Sequence, residues 1–92
     1  MELSTFQALM RAHYGERDER RGRDATVAWL AEELGELARA IRKGSRADQL
    51  DELGDVLAWL ASLADQLGLD LDAAAARYEK GCPKCSASPC TC

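Results

Sequence analysis

Apolar residues recur along most of this chain at steps of three and four, the spacing of helices that bury one face. Phe6, Leu9, Met10 and Tyr14 form one such stripe, and Ser4 with Gln7 three positions on has the form of a capping box. The spacing predicts a first helix over about residues 5–14. The segment from Gly15 to Asp24, GERDERRGRD, has dense charge of both signs, including Arg17, Arg20, Arg21 and Arg23, and two glycines, and reads as a solvated loop. Asp24 is placed to cap a second helix whose seam is Val27, Leu30, Leu34, Leu37 and Ile41, stopped by Gly44. Ser45, with Asp48 in the first turn, opens a third helix with the seam Leu50, Leu53, Leu57, Leu60, Ala64 and Leu67, ended by Gly68. So short a connection makes the two long helices an antiparallel hairpin. A shorter, Ala-rich helix follows from about Asp72 to Lys80 and ends at Gly81.

Composition narrows this to an all-α fold, because Leu and Ala dominate and aromatic residues make up only 5%. With 92 residues the chain buries a limited share of its surface, so self-association is expected. The formal charge of −4 argues against a nucleic-acid-coating protein, and a polyanionic substrate would need a metal ion as intermediary. No stretch reaches the roughly 18 to 20 apolar residues that span a bilayer, and no signal segment opens the chain. A cytoplasmic protein without membrane contact is expected.

Acidic residues gather on the hairpin. The second helix carries Glu32, Glu33 and Glu36, and the third carries Glu52 and Asp55. Residues three apart share a helical face, about 4.5 Å apart along the axis, so Glu33 with Glu36 and Glu52 with Asp55 each make a two-carboxylate comb. Counting equally in both directions from the turn at residues 44 and 45 sets Glu36 opposite Glu52 and Glu33 opposite Asp55. Four carboxylates at one level repel unless neutralised, and Mg²⁺ or Mn²⁺ is the natural counter-ion for oxygen ligands. The plainer alternative is two solvated acidic faces paired with basic residues one turn away. Glu36 has Arg39 for this, whereas Glu32 and Glu33 have no Lys or Arg at i+3 or i+4.

The runs WLAEELGELARAIRKG and DELGDVLAWLASLADQLGLDL resemble the MazG-like, all-α NTP pyrophosphatase superfamily, whose signature is EExxE on one helix and ExxD on the next. Here these read EELGE from Glu32 to Glu36 and ELGD from Glu52 to Asp55, and the likeness covers roughly residues 5–81. The resemblance implies that Glu33, Glu36, Glu52 and Asp55 are metal ligands, with Glu32 binding a further ion or orienting the attacking water. It implies cleavage of a nucleoside triphosphate between its α and β phosphates, giving a monophosphate and pyrophosphate. Such relatives commonly form dimers or pairs of dimers.

Trp29, four before Glu33, and Trp59, four after Asp55, fall at nearly one level of the hairpin. Either could wall a base pocket by stacking or fill a helix or subunit interface. Arg77, Tyr78 and Lys80 lie where related proteins often place a basic phosphate contact, and snorkelling surface residues would look the same. Cys82, Cys85, Cys90 and Cys92 close the sequence as CPKC and PCTC. Four thiolates in a proline-stiffened loop suit structural Zn²⁺, although the Cys90–Cys92 interval is shorter than usual; disulfides or a mobile reduced tail are the alternatives. The chain thus divides into a helical domain, 1–81, and a cysteine-rich tail, 82–92. Besides NTP hydrolysis, two functions compete: phosphoribosyl-ATP pyrophosphohydrolase, and a non-catalytic helical dimerisation module with a zinc-bound tail. Trp29, Val56, Trp59 and Leu63 are apolar positions left over from the seams, and a second copy in isologous contact is expected to cover them.

Overall fold

The computed structural model describes residues 1–92 and is entirely helical: α1 (Leu3–Arg21), α2 (Arg23–Lys43), α3 (Arg46–Leu67) and α4 (Leu71–Ala76). α3 is central, packing against both α2 and α1, while α4 lies against α1. No helix is long and apolar enough to cross a membrane.

The first helix is longer than its apolar stripe. Residues 15–21 continue α1 instead of forming a loop, and Gly22 alone, at φ 86°, separates α1 from α2. Glu, Arg and Asp have no need to leave a helix merely because they are charged, and Glu and Arg are good helix formers. The extension also has a buried polar face. Asp18 is buried, its Oδ1 accepting from Arg21 Nη1 at 2.7 Å and its backbone carbonyl accepting from Gln66 Nε2 on α3 at 2.6 Å. Thr26, fully buried, donates its hydroxyl to Gly22 O at 3.0 Å, so the break itself is fastened.

Two caps therefore differ from the sequence expectation. Gly22 rather than Asp24 precedes α2, leaving Asp24 in the first turn, where its charge still complements the helix dipole. At the start of α1 no side chain caps, since the helix opens at Leu3 behind Glu2 and takes Ser4 into its first turn, and Gln7 is used elsewhere. Its Nε2 donates to Leu69 O at 2.6 Å and its Oε1 accepts from Leu71 N at 2.9 Å, tying the α3–α4 loop to α1. By contrast, Ser45 and Asp48 form the reciprocal capping box of α3, with bonds of 3.1 and 2.9 Å. Gly68 ends that helix in the left-handed region. α4 opens at Leu71 under an Asp70 cap and stops at Ala76; residues 77–80 run on as turns bonded three residues back, such as Tyr78 N to Ala75 O.

The interior is made of small and polar side chains. Met10, Ala40, Ala61 and Ala64 are the buried apolar residues, joined by Gln7, Asp18, Thr26 and Ser62. Much of the leucine seams, expected to close the hairpin, faces outward instead. Val27, Leu34 and Ile41 on α2 and Leu50 and Leu53 on α3 are between 50% and 70% exposed. Val56, Leu63 and Trp59 are half-buried, so the uncovered apolar surface is chiefly the seams themselves and not the leftover positions.

Candidate functional site

Carboxylate oxygens of Glu33, Glu52 and Asp55 lie within 4.8 Å of one another across the α2–α3 contact. The hairpin creates this arrangement: the capped turn at Gly44 and Ser45 sets the register, and the three-residue spacing of Glu52 and Asp55 stacks them on one face of α3. Glu33 and Glu52 are half-buried and Asp55 is exposed. Glu36 falls outside this trio, and both it and Glu32 are exposed. Their charges still reach it. The Glu33 carboxyl is raised above its ordinary value of 4.5, first by desolvation and then by the charges of Asp55, Glu52, Glu36 and Glu32. No cation of the protein is hydrogen-bonded or ion-paired to any of the five, as both ion pairs of the chain lie elsewhere, at Arg11–Asp65 and Arg21–Asp18.

A cleft of about 380 Å³ opens beside the acids. Glu33 and Asp55 line it together with Trp29, Trp59, Arg17, Asp18, Arg21 and Tyr14. The two indoles are stacked, their centroids 5.8 Å apart and their planes 13° from parallel. The Arg21 guanidinium lies 4.6 Å from the centre of the Trp59 ring, a cation–π contact. Trp29 is the more exposed ring, at 45%. Sequence reasoning missed Tyr14, Arg17, Asp18 and Arg21 as cleft residues. The signal was the run of arginines in GERDERRGRD, which a loop assignment disconnected from the hairpin.

Arg77, Tyr78 and Lys80 do not line this cleft. All three are exposed on the turns after α4, with Arg77 stacked at 5.8 Å over its neighbour Tyr78. His13 is also exposed, edge-on to Tyr14.

The four cysteines form a second cluster, their sulfurs within 4.8 Å of one another. Backbone N–H groups of Thr91 and Ala87 hold the Cys85 thiol down to about 5, and those of Cys85 and Lys84 lower Cys82. Sulfur contacts led by Cys90 raise Cys92.

A curated relative, the "Uncharacterized protein YvdC" of Bacillus subtilis (strain 168), is 36% identical over 89 residues, covering 78% of this chain and 84% of that protein. The family model of the MazG nucleotide pyrophosphohydrolase domain matches residues 21–85, from the end of α1 through the acidic hairpin to Cys85. With both acidic motifs inside the matched span, this chain belongs to the MazG nucleotide pyrophosphohydrolase family.

Proposed function

We propose that the protein hydrolyses nucleoside triphosphates between the α and β phosphates, releasing a nucleoside monophosphate and pyrophosphate, in a reaction dependent on Mg²⁺ or Mn²⁺. The observation that carries this is the convergence of Glu33, Glu52 and Asp55 at the edge of a cleft walled by stacked indoles.

The donor set fits a hard divalent ion. All the groups are carboxylates, they converge from two helices, and the Glu33 charge is disfavoured first by desolvation and then by its acidic neighbours, with no protein cation paired to it. Glu33, Glu52 and Asp55 would hold the ion, with Glu36 one turn along α2 as the fourth ligand. When bound, the ion supplies phosphate-charge neutralisation and a more acidic water. Glu32, adjacent on the helix, would orient the attacking water through its carboxylate. Trp29 offers its more exposed face to a base, while Trp59, already flanked by Trp29 and Arg21, stiffens that wall. Arg17 lines the same cleft and would supply positive charge toward a polyphosphate, whereas the Arg21 charge is already paired with Asp18. No Ser, Cys or His nucleophile is required.

The working unit would be a homodimer or a dimer of dimers, because the exposed seams of α2 and α3 need a cover of matching shape. The test is a panel of ribo- and deoxyribonucleoside triphosphates and phosphoribosyl-ATP with Mg²⁺, followed by pyrophosphate release. Turnover of nucleoside triphosphates supports the reading. Turnover of phosphoribosyl-ATP alone would move the protein to that activity, and no turnover with either would leave a non-catalytic helical module.

A further inference from the structure

We infer that residues 82–92 form a structural zinc site in which Cys82, Cys85, Cys90 and Cys92 are the four ligands of one Zn²⁺. This site is separate from the acidic hairpin and independent of the proposed hydrolysis.

Sulfur geometry carries the inference. A tetrahedral ion bound to thiolates at about 2.3 Å sets its sulfurs about 3.8 Å apart along each edge. The separations here are 3.8 Å for Cys82–Cys92, 3.9 Å for Cys85–Cys90 and 3.3 Å for Cys90–Cys92. All four sulfurs stay within 4.8 Å of one another, so they form a closed cluster and not a chain of neighbours. The short Cys90–Cys92 edge would open by about half an ångström on taking up the ion. None of these separations is near the roughly 2.0 Å of a sulfur–sulfur bond, and all four cysteines are free.

The backbone is arranged for the same purpose. Lys84 N–H donates to Cys82 Sγ at 3.4 Å, within the CPKC turn, and the Thr91 hydroxyl donates to Cys85 Sγ at 3.8 Å. Ser86 N donates to Cys82 O at 2.7 Å and Cys82 N to Ala87 O at 3.0 Å, closing the loop that presents the first pair. Gly81 at φ 114° makes the reversal into this loop, where a Cβ would meet the carbonyls of Ser86 and Ala87 at 3.0 Å.

A second observation concerns what else could order the segment. No residue after Ala64 is fully buried, and within 82–92 only Cys82, Cys85 and Ala87 are even half-buried. An apolar core cannot hold this loop in one shape, and metal ligation supplies folding free energy directly. Four protein ligands leave no open coordination position, so the ion would be structural and would not bind substrate. Its uptake releases the protons of whichever thiols are still protonated.

The experiment uses the full chain purified without chelator, with metal content measured by elemental analysis. About one zinc per chain is expected, retained on dialysis against excess Mg²⁺. Replacement by Co²⁺ should give the sulfur-to-cobalt charge-transfer and visible bands of a tetrahedral thiolate site. Cys82→Ser with Cys85→Ser should lose both the zinc and the cobalt bands while far-UV circular dichroism keeps its helical signal. Glu33→Gln with Asp55→Asn should keep them, which separates this site from the acidic one and from the hydrolytic activity. Zinc-free protein with four titratable thiols that gives no cobalt–thiolate bands, or protein with paired disulfides by mass, would overturn the inference. So would zinc that follows Glu33 and Asp55 instead of the cysteines.

Discussion

Arg21 lays its guanidinium 4.6 Å from the centre of the Trp59 ring while its Nη1 donates to Asp18 Oδ1 at 2.7 Å. One residue thus joins the buried polar face of α1 to the aromatic wall of the cleft. Asp18 is 5% exposed at its side chain and Arg21 20%, so this pair lies in a poorly screened setting. Asp18→Ala should lower stability by up to about 3 kcal/mol, since removing one partner strands the other's charge. Arg21→Lys should cost less stability, because charge and reach are kept. It should raise KM for the nucleotide and shift Trp fluorescence, as the planar stack on Trp59 is lost. Equal KM with unchanged emission would mean that Arg21 serves folding alone.

Neutralising the acids should separate activity from folding. Glu33→Gln and Asp55→Asn preserve volume but remove a charged ligand, so each should reduce Mg²⁺-dependent turnover by more than about a hundredfold, beyond the cost typical of residues that merely support ligands. Both should leave the metal-free protein at least as stable as wild type, because the repulsion on Glu33 falls. Glu36→Gln, a turn away from the trio, should lose less than either. Turnover and thermal unfolding of the same preparations check both halves, and near wild-type turnover in Glu33→Gln would sink the assignment.

Glu33 also predicts a pH dependence with a definite sign. Its folded carboxyl is raised above 4.5, so between that value and the folded one the native state binds more protons than the unfolded state. Metal-free protein should therefore lose stability as pH rises through this window, unlike a salt-bridged carboxylate, and Glu33→Gln should flatten that slope. Mg²⁺ binding needs the ionised form, so affinity should fall as pH drops through the raised value of Glu33. Thermal melts at about pH 5 and about pH 7.5 with and without Mg²⁺ read both effects.

The hairpin turn tolerates no side chain at Gly44. A Cβ there would sit 2.8 Å from Ala40 O, 3.0 Å from Ala40 Cα and 3.1 Å from Asp48 Cβ, two of which are backbone. Gly44→Ala should destabilise by roughly 1–3 kcal/mol, despite alanine's better helix propensity. It should also weaken metal binding, because the same turn sets Glu33 opposite Asp55. A variant at least as stable as wild type would show that the turn can shift without cost.

Part of the register of the acids was legible because it depends on local chemistry: Gly44, the Ser45–Asp48 box and a three-residue spacing are written in adjacent residues, but the count that set Glu36 opposite Glu52 did not anticipate that Glu36 stands outside the trio of Glu33, Glu52 and Asp55. The stacking of Trp29 on Trp59 follows from the same count. What escaped depends on tertiary partners. The charges of GERDERRGRD look solvated until Gln66 and Thr26 are brought to Asp18 and Gly22, and only then does the segment become helix and cleft wall. Gln7 carries a capping pattern but is spent on Leu69 and Leu71. Periodicity likewise identified the leucine seams without revealing that Ala40, Ala61 and Ala64 would be the buried contacts.

Those seams lead to a prediction about assembly. Val27, Leu34 and Ile41 repeat every seven residues on α2, and Leu50, Leu53, Leu57 and Leu60 continue an apolar face on α3, all of them exposed in the single chain. α4 packs against α1, and all of these side chains remain at least 37% exposed. A soluble monomer rarely shows a contiguous apolar surface of this kind, and a second hairpin packed on it about a two-fold axis would complete a helical bundle. Light scattering at micromolar concentration should report at least a dimer. Leu34→Glu with Leu53→Glu places like charges in that contact and should shift the protein to monomer while the helical signal at low temperature persists. The variant should also melt earlier than wild type, in a way that no longer depends on protein concentration, because mass action stabilises only the associated form. Wild-type protein that runs as an active monomer of 10.1 kDa, with the double variant melting like it, would overturn the dimer.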